Sequence, residues 1–264
     1  GQVVYGNLMQ AQWNMGQREE AWTTLEKLRV EKPEASIRFR NEATLLAGKR
    51  RWTEAYNAYE QDVLLNPGSL VAQIRSGTSM ACSLLGNGQY TQALSVIERA
   101  ERTAEAARAD VFYVTNPGSL RFYLAYALEG SADATQDALE GIEQIVALDS
   151  LSSQSNAWSR LMLFHALVGN IDRAEEMFGV YEDGLLLEER GLQYRINSTA
   201  LEAFGALGAE DYPTAASAFD VLGGEILSCG SVCIDQALWG IALESAGRKE
   251  AAMTQYEAHL TGGP

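Results

Sequence analysis

The chain has 264 residues, and its 35 acidic and 20 basic side chains give a net charge of −15. So acidic a protein repels phosphate backbones and anionic lipid headgroups, which disfavours nucleic acid and membrane surfaces as partners. No stretch reaches the roughly 18 consecutive apolar residues of a membrane span. The first ten residues lack the features of a signal peptide, so we expect the sequence to begin within folded structure.

The sequence repeats itself with a period near 34 residues. Ala21 is echoed by Ala55, and Pro33 by Pro67. Seven alanines recur in this way: Ala21, Ala55, Ala93, Ala138, Ala174, Ala215 and Ala252. A large apolar residue follows each alanine by four positions: Leu25, Tyr59, Ile97, Ile142, Phe178, Phe219 and Tyr256. Residues four apart share one face of a helix, so the pattern predicts stacked helical hairpins.

Several units carry further residues at fixed distances from the alanine. Unit three reads GQYTQALSVIERA from Gly88, and unit five places Trp158 and Leu161 in its first helix. The last unit carries Trp239 and Gly240 and ends on Pro264. These positions resemble the tetratricopeptide repeat family. The resemblance implies a single all-α domain, a right-handed α–α superhelix of about seven hairpins. The units are 2–35, 36–69, 70–107, 119–152, 155–188, 189–229 and 230–264, with an insertion at 108–118.

The pentapeptide NPGSL occurs twice, at residues 66–70 and 116–120. Proline and glycine end helices and serine begins them, so each copy predicts a turn between two helices, with Ser69 as an N-cap. Before the second copy we expect a second helix lengthened to Ala109, then an apolar loop at 111–114. That loop either folds back as a plug, which is favoured, or docks on a partner. We also expect unit six to lengthen its first helix by two turns, beginning near Glu188.

Chemistry-bearing motifs are scarce, and the sequence contains no P-loop, Rossmann, G-x-S-x-G or H-E-x-x-H pattern. His165 and His259 fall at packing positions, so an enzyme, a metal site and a cofactor are not expected. Cys82 is predicted to be a small core residue. Cys229 and Cys233 form either a disulfide, in an extracytoplasmic protein, or two thiols in a reducing cytoplasm, which is slightly favoured.

The resemblance implies a concave groove lined by the first helix of each unit. Its polar half would comprise Asn7, Gln10, Arg40, Asn41, Thr44, Arg75 and Ser79, and its apolar half Tyr123, Leu124, Arg160, Leu163 and Phe204. Some family members grip a terminal carboxylate with a five-residue clamp. Asn41 and Arg75 match two clamp positions, and Arg40 would compensate for positions where Gly6 and Ser79 stand.

The function implied is a non-catalytic scaffold that binds a peptide or partner domain in this groove. The last unit resembles repeat arrays appended to bacterial signalling kinases and transcriptional regulators, so the chain would be their docking or sensing part. The alternative is a small-molecule sensor that closes the apolar half of the groove on a ligand. Self-association through a solenoid end is a further expectation, with unit seven the favoured end.

Overall fold

The computed structural model describes residues 2–15, 17–33, 35–70, 72–106, 111–126, 132–146, 151–152, 157–186, 191–223 and 235–261. Within these ranges the protein consists of fourteen α-helices and a π-helical turn, with no strand. The all-α prediction is therefore confirmed.

The helices pack in consecutive pairs, α1 with α2 through to α13 with α14, which gives seven hairpins. The first helices are α1 Gln2–Asn14, α3 Ile37–Gly48, α5 Gly77–Gly86, α7 Val111–Leu124, α9 Ala157–Leu167, α11 Leu192–Gly208 and α13 Asp235–Ser245. The second helices are α2 Arg18–Glu31, α4 Trp52–Leu65, α6 Tyr90–Ala106, α8 Ala132–Val146, α10 Ile171–Gly184, α12 Tyr212–Leu222 and α14 Lys249–Thr261. The π-helical turn Ala72–Ser76 precedes α5.

The hairpins belong to two compact units. Unit 1 is Gly1–Ala109 and holds three hairpins, and unit 2 is Asp110–Pro264 and holds four. The boundary coincides with the predicted insertion, which also divides the predicted groove into its polar and apolar halves. A single continuous solenoid stays a prediction.

The repeating alanines form the seam of every hairpin. All seven are buried, with at most 8% of the residue exposed. Of the large residues four positions later, five are also buried, while Phe178 and Tyr256 are half-buried and pack against the core of unit 2. A small residue lets two helices approach closely and the larger one fills the space beside it, as the sequence pattern predicts.

Glycines add a second kind of close contact. Gly48 and Gly86 each stand seven residues before the alanine of their unit. A Cβ at Gly48 would lie 2.2 Å from the ring of Trp13, and one at Gly86 would lie 2.5 Å from the ring of Trp52. Glycine therefore lets an indole ring of unit 1 pack directly on a helix backbone.

The first NPGSL copy adopts the predicted turn. Helix α4 ends at Leu65, and Pro67 and Gly68 are exposed. The backbone N–H of Ala72 donates to Ser69 Oγ at 3.3 Å, so Ser69 caps the next helix as predicted. Helical structure then begins at Leu70, before α5 itself.

The second NPGSL copy contradicts its prediction. Residues 111–114, predicted as a loop, form the first turn of α7, and Pro117 lies inside that helix. Residues 117–120 are buried, and Gly118 admits Ile142 of α8 so closely that a Cβ would stand 2.7 Å from it. Packing against α8 thus offsets the backbone hydrogen bond that proline cannot donate. Helix α6 ends at Ala106, and residues 107–110 lie outside the described ranges.

The sixth hairpin has the predicted long first helix. Helix α11 contains 17 residues, compared with 11 in α9 and 11 in α13. It begins at Leu192, and the predicted start at Glu188 lies outside the described residues. Pro213 occupies the first turn of α12, where a helix tolerates proline, and Asp211 caps that turn by accepting from the backbone N–H of Thr214.

Two glycine substitutions are predicted to change stability in opposite directions. A Cβ at Gly208 would lie 2.5 Å from the carbonyl oxygen of Leu167, a backbone atom that cannot turn aside. Gly208→Ala should therefore lower the free energy of unfolding by about 1 to 3 kcal/mol. Gly141 in α8 has open space at the same position, so Gly141→Ala should raise it by about 1 kcal/mol.

Urea unfolding followed by circular dichroism measures both variants against the parent chain. Equal effects of the two substitutions would contradict the close approach of α9 and α11.

Candidate functional site

Arg40, predicted to grip a partner's carboxylate, instead binds a carboxylate of its own chain. Its Nε and Nη2 both donate to Oδ2 of Asp62 at 2.9 Å. The Asp62 side chain is completely buried, while the Arg40 side chain is 21% exposed. The guanidinium is therefore paired within unit 1, and the role of Arg40 in the clamp stays a prediction.

Three more polar groups complete the surroundings of Asp62. Ser76 donates its hydroxyl to Oδ2 at 2.6 Å, and Asn66 donates its amide to Oδ1 at 3.2 Å. Asn66 in turn accepts from the Ser36 hydroxyl at 3.1 Å. The network joins α3, α4 and the π-helical turn, so it connects the second hairpin to the third. A buried carboxylate with this many donors has a structural role.

Helix α3 also carries two buried donor atoms that have no hydrogen-bond partner. These are Nε of Arg38 and Nδ2 of Asn41, which are one helical turn apart. Asn41 packs against Gly6 of α1, where a Cβ would lie 3.3 Å from Nδ2. Arg38 lies over the ring of Phe39 with its guanidinium carbon 4.4 Å from the centroid. Both atoms are N–H donors, so each would be satisfied by an oxygen acceptor.

The remaining predicted groove residues of unit 1 differ in their availability. Arg75 is exposed on the π-helical turn and Asn7 is exposed on α1, whereas Ser79 is half-buried. Thr44 shares a hydrogen bond with the hydroxyl of Tyr59 at 3.2 Å. The side chain of Gln10 lies outside the described part of the chain. Of the two predicted arginines, Arg75 is thus the one that faces solvent.

Charge is separated between the two helices of each hairpin in unit 1. The first helices α1, α3 and α5, with the π-helical turn, carry three arginines and one glutamate. The second helices α2, α4 and α6 carry five basic and ten acidic residues. The acidic residues of unit 1 therefore lie mostly on its second helices, and its first helices have a small positive excess.

In unit 2 the predicted apolar groove residues belong largely to the core. Phe204 has no exposed surface, and Tyr123 and Leu124 are 8% and 6% exposed. Leu163 is half-buried against the same core, and Arg160 is half-buried. The repeat register predicted the helix on which each residue lies but not its depth. Phe204, Tyr123 and Leu124 therefore pack the interior instead of lining a groove.

The aromatic side chains of this core contact one another directly. Phe122 stacks on Phe164 with ring centroids 4.2 Å apart, and Tyr123 meets the edge of Phe164 at 5.3 Å. Phe204 lies 5.7 Å from Phe219. The predicted alternative is that Tyr123, Leu163 and Phe204 close on a small ligand. These side chains already pack against the core of unit 2.

Burial raises the pKa of Tyr126 to about 12, and the neighbouring Tyr212 and Glu210 add to the effect. Burial also raises the pKa of Tyr256 to about 12, assisted by its hydrogen bond to Glu244. Both phenols are therefore neutral in the folded protein throughout the physiological range.

His165 lies where a packing role was predicted. It is 5% exposed, and its ring nitrogens contact Glu143 at 3.0 Å and Asn170 at 3.5 Å. Among the described residues no group of three or more His, Cys, Asp or Glu side chains is placed to hold a metal ion. Cys229 and Cys233 lie outside those residues, as does the side chain of His259.

A depression of about 470 Å³ lies in unit 1, lined by Leu70, Arg99, Arg102, Thr103 and Ala106. Four of these five residues belong to α6, a second helix, and none of the five is a predicted groove residue. The two arginines share that helix with Glu98, Glu101 and Glu105, which do not line the depression.

None of the helices in the described part of the chain is both long and apolar enough to span a membrane. No protein-family model matches the sequence, and no curated protein matches it.

The Asp62 network predicts a large difference between two carboxylate substitutions. Asp62→Asn leaves Arg40 without its counter-charge in the interior, so it should lower the free energy of unfolding by about 3 kcal/mol. Glu54 pairs with Arg51 at the surface, where their side chains are 52% and 51% exposed. Glu54→Gln should therefore cost less than about 1 kcal/mol.

Urea unfolding at neutral pH compares the two variants with the parent. Similar losses in both would show that the buried network does not support unit 1.

Tyr126 predicts a loss of stability in alkali. The unfolded phenol ionises near pH 10, whereas the folded one retains its proton until about pH 12. Its contribution is fully present below pH 10 and declines as pH rises from 10 to 12, because ionisation favours the unfolded chain. Tyr126→Phe should reduce this decline relative to the parent chain.

The free energy of unfolding, measured across that pH range for the parent chain and the variant, checks this expectation. An identical decline in both would mean that Tyr126 ionises as readily when folded as when unfolded.

Proposed function

We propose that the chain is a tetratricopeptide-like, non-catalytic scaffold that binds an acidic peptide segment along the first helices of unit 1. The observation that carries this proposal is Arg75, which is exposed on the π-helical turn next to first helices that are almost free of acidic residues. Carboxylate oxygens of an acidic peptide are the acceptors that suit an exposed guanidinium.

The separation of charge supports the choice of an acidic ligand. In unit 1 the first helices have more basic than acidic residues, whereas the second helices have twice as many acidic as basic residues. An acidic peptide is therefore repelled by the second helices and attracted to the first. Arg75 is exposed among these first helices and can donate two parallel hydrogen bonds to a carboxylate.

In this proposal the ligand differs from the one expected for a terminal-carboxylate clamp. Arg40 is engaged with Asp62, so Arg75 provides the accessible charge. The chain would serve as the docking part of a larger signalling protein, as the resemblance of its last unit implies. No structural observation favours the small-molecule sensor, since its proposed residues pack the core of unit 2.

Charge reversal at Arg75 tests the proposal. A random-peptide phage library is panned on the intact chain, and enriched peptides are measured by fluorescence anisotropy. We expect acidic peptides to be enriched, and Arg75→Glu to raise their Kd at least about tenfold, or about 1.4 kcal/mol.

Arg102→Glu is the matched control, because Arg102 is an exposed arginine of the same unit on the second helix α6. This variant should bind the peptides like the parent chain. Equal affinities for parent and Arg75→Glu, or enrichment of basic peptides, would overturn the proposal.

A further inference from the structure

Three consecutive basic residues, Lys49, Arg50 and Arg51, occupy the turn between α3 and α4, and Thr53 follows them in the first turn of α4. Thr53 therefore has a basic residue at both the second and the third position before it. No other serine or threonine in the 264-residue sequence has this arrangement. Protein kinases use charge patterns of this kind to select the hydroxyl that they phosphorylate.

The Thr53 side chain lies at the surface of unit 1, where a second protein can reach it. Thr53 is exposed, as are Lys49 and Arg51. Oγ1 of Thr53 accepts a hydrogen bond from the side-chain amide of Asn87 at 3.2 Å, so that contact does not use the hydroxyl proton. The oxygen that would receive a phosphoryl group is therefore available, and it lies where the second hairpin meets the third.

The two arginines before Thr53 make contacts that exchange readily with other partners. Arg51 donates to Glu54 from Nε at 2.6 Å and from Nη2, and both side chains of this pair are about half exposed. The guanidinium carbon of Arg50 lies 5.0 Å from the centroid of the Trp52 ring. Exposed ion pairs and cation–π contacts of this kind are weak. A kinase with an acidic recognition surface can therefore replace them.

Helix α4 begins without a capping side chain. Its N-cap residue is Arg51, which makes no side-chain cap hydrogen bond. A guanidinium has no acceptor atom, so Arg51 gives the backbone N–H groups of the first turn no acceptor of the kind that Asp211 gives α12. An uncapped first turn opens at a lower cost than a capped one, which favours entry of Thr53 into a kinase active site.

The repeat shows that the position of Thr53 suits a negative charge. Thr53 is the second residue of α4 and stands two residues before the repeating alanine of its unit. The same place holds Glu19 in α2, Asp172 in α10 and Glu250 in α14. The helix dipole and the unpaired N–H groups of a first turn stabilise such a charge. A phosphate on Thr53 would therefore place negative charge where three other units already carry it.

We propose that Thr53 is a phosphorylation site for a kinase that selects basic residues at the second and third positions before its acceptor. The γ-phosphoryl group of ATP passes to Oγ1 of Thr53, its bond to ADP breaks, and the hydroxyl proton passes to the base of the kinase. The phosphate then supplies the acceptor that the first turn of α4 lacks. The inference is independent of the proposed peptide site.

Phosphorylation of the intact chain in vitro tests the site. The chain is incubated with ATP, Mg²⁺ and the catalytic subunit of a kinase that selects basic residues before its acceptor, and mass spectrometry of proteolytic peptides locates the phosphate. We expect one phosphate per chain, on Thr53. Arg50→Gln and Arg51→Gln should each lower the initial rate at least about tenfold, because each removes one charge that the kinase recognises.

Thr91 provides the matched control. It is exposed at the same position of α6, but the residues at 87–90 include no basic side chain. Thr53→Val should abolish incorporation of phosphate, whereas Thr91→Val should leave the rate unchanged. Thermal unfolding verifies that each variant is folded. Arg75→Glu should be phosphorylated like the parent chain, which separates this inference from the proposed peptide site.

The stability of the modified chain gives a second measurement. At low ionic strength the phosphorylated chain should unfold at a higher urea concentration than the unmodified chain, because the phosphate caps α4. Thr53→Glu should likewise have a higher urea midpoint than Thr53→Gln, which has a similar shape and no charge.

Three results would overturn the proposal. The kinase could leave Thr53 unmodified, or modify Thr91 at the same rate. Arg50→Gln and Arg51→Gln could both be phosphorylated as fast as the parent chain, which would mean that the basic run is not what the kinase recognises. The phosphorylated chain could unfold at an equal or lower urea concentration, which would mean that the first turn of α4 does not bind the phosphate.

Discussion

The close approach of paired helices at recurring small side chains is the constraint on which the rest of the structure depends. The seven repeating alanines are buried in both units, and glycines at Gly48, Gly86 and Gly208 admit rings or backbone where a methyl group would clash. Each helix packs mainly on the other helix of its hairpin and on the elements next to it. Stability is therefore a sum of local terms within each unit, and a defect at one seam weakens that hairpin and its neighbours first.

Asp62 shows that a buried polar group, like the buried alanines, can hold neighbouring helices together. A buried carboxylate is costly unless it is fully paired, and here Arg40, Ser76 and Asn66 surround it. The network positions α3 against α4 and the π-helical turn, which in turn determines which side of α3 carries the unsatisfied donors of Arg38 and Asn41.

The sequence predicted best those features that depend on local spacing. Alanine and its companion four residues later are repeated seven times, so hairpin count and pairing could be read without tertiary information. The two NPGSL copies show where this fails, because the buried helical copy packs against α8, where Gly118 approaches Ile142, and the local sequence does not reveal that contact. The burial of individual residues could not be predicted from the repeat either. The register places Phe204 on a first helix, but its burial depends on the side chains that pack beside it. The sequence analysis did not single out Arg38, because the lack of a hydrogen-bond partner for its Nε can be known only from the surrounding structure. Its position three residues before Asn41 did place it on the same side of the helix.

The separation of charge between first and second helices has a consequence for the response to salt. In unit 2 the second helices carry twelve acidic residues and two basic ones, whereas its first helices carry three of each. Like charges on helix surfaces repel over a distance of about 10 Å at 0.1 M ionic strength, and over shorter distances as salt is added. Unit 2 therefore behaves as a polyelectrolyte whose folded state gains stability with ionic strength. Unit 1, with its mixed charges, gains less stability. Transfer to a low-salt buffer therefore lowers the free energy of unfolding more in unit 2 than in unit 1.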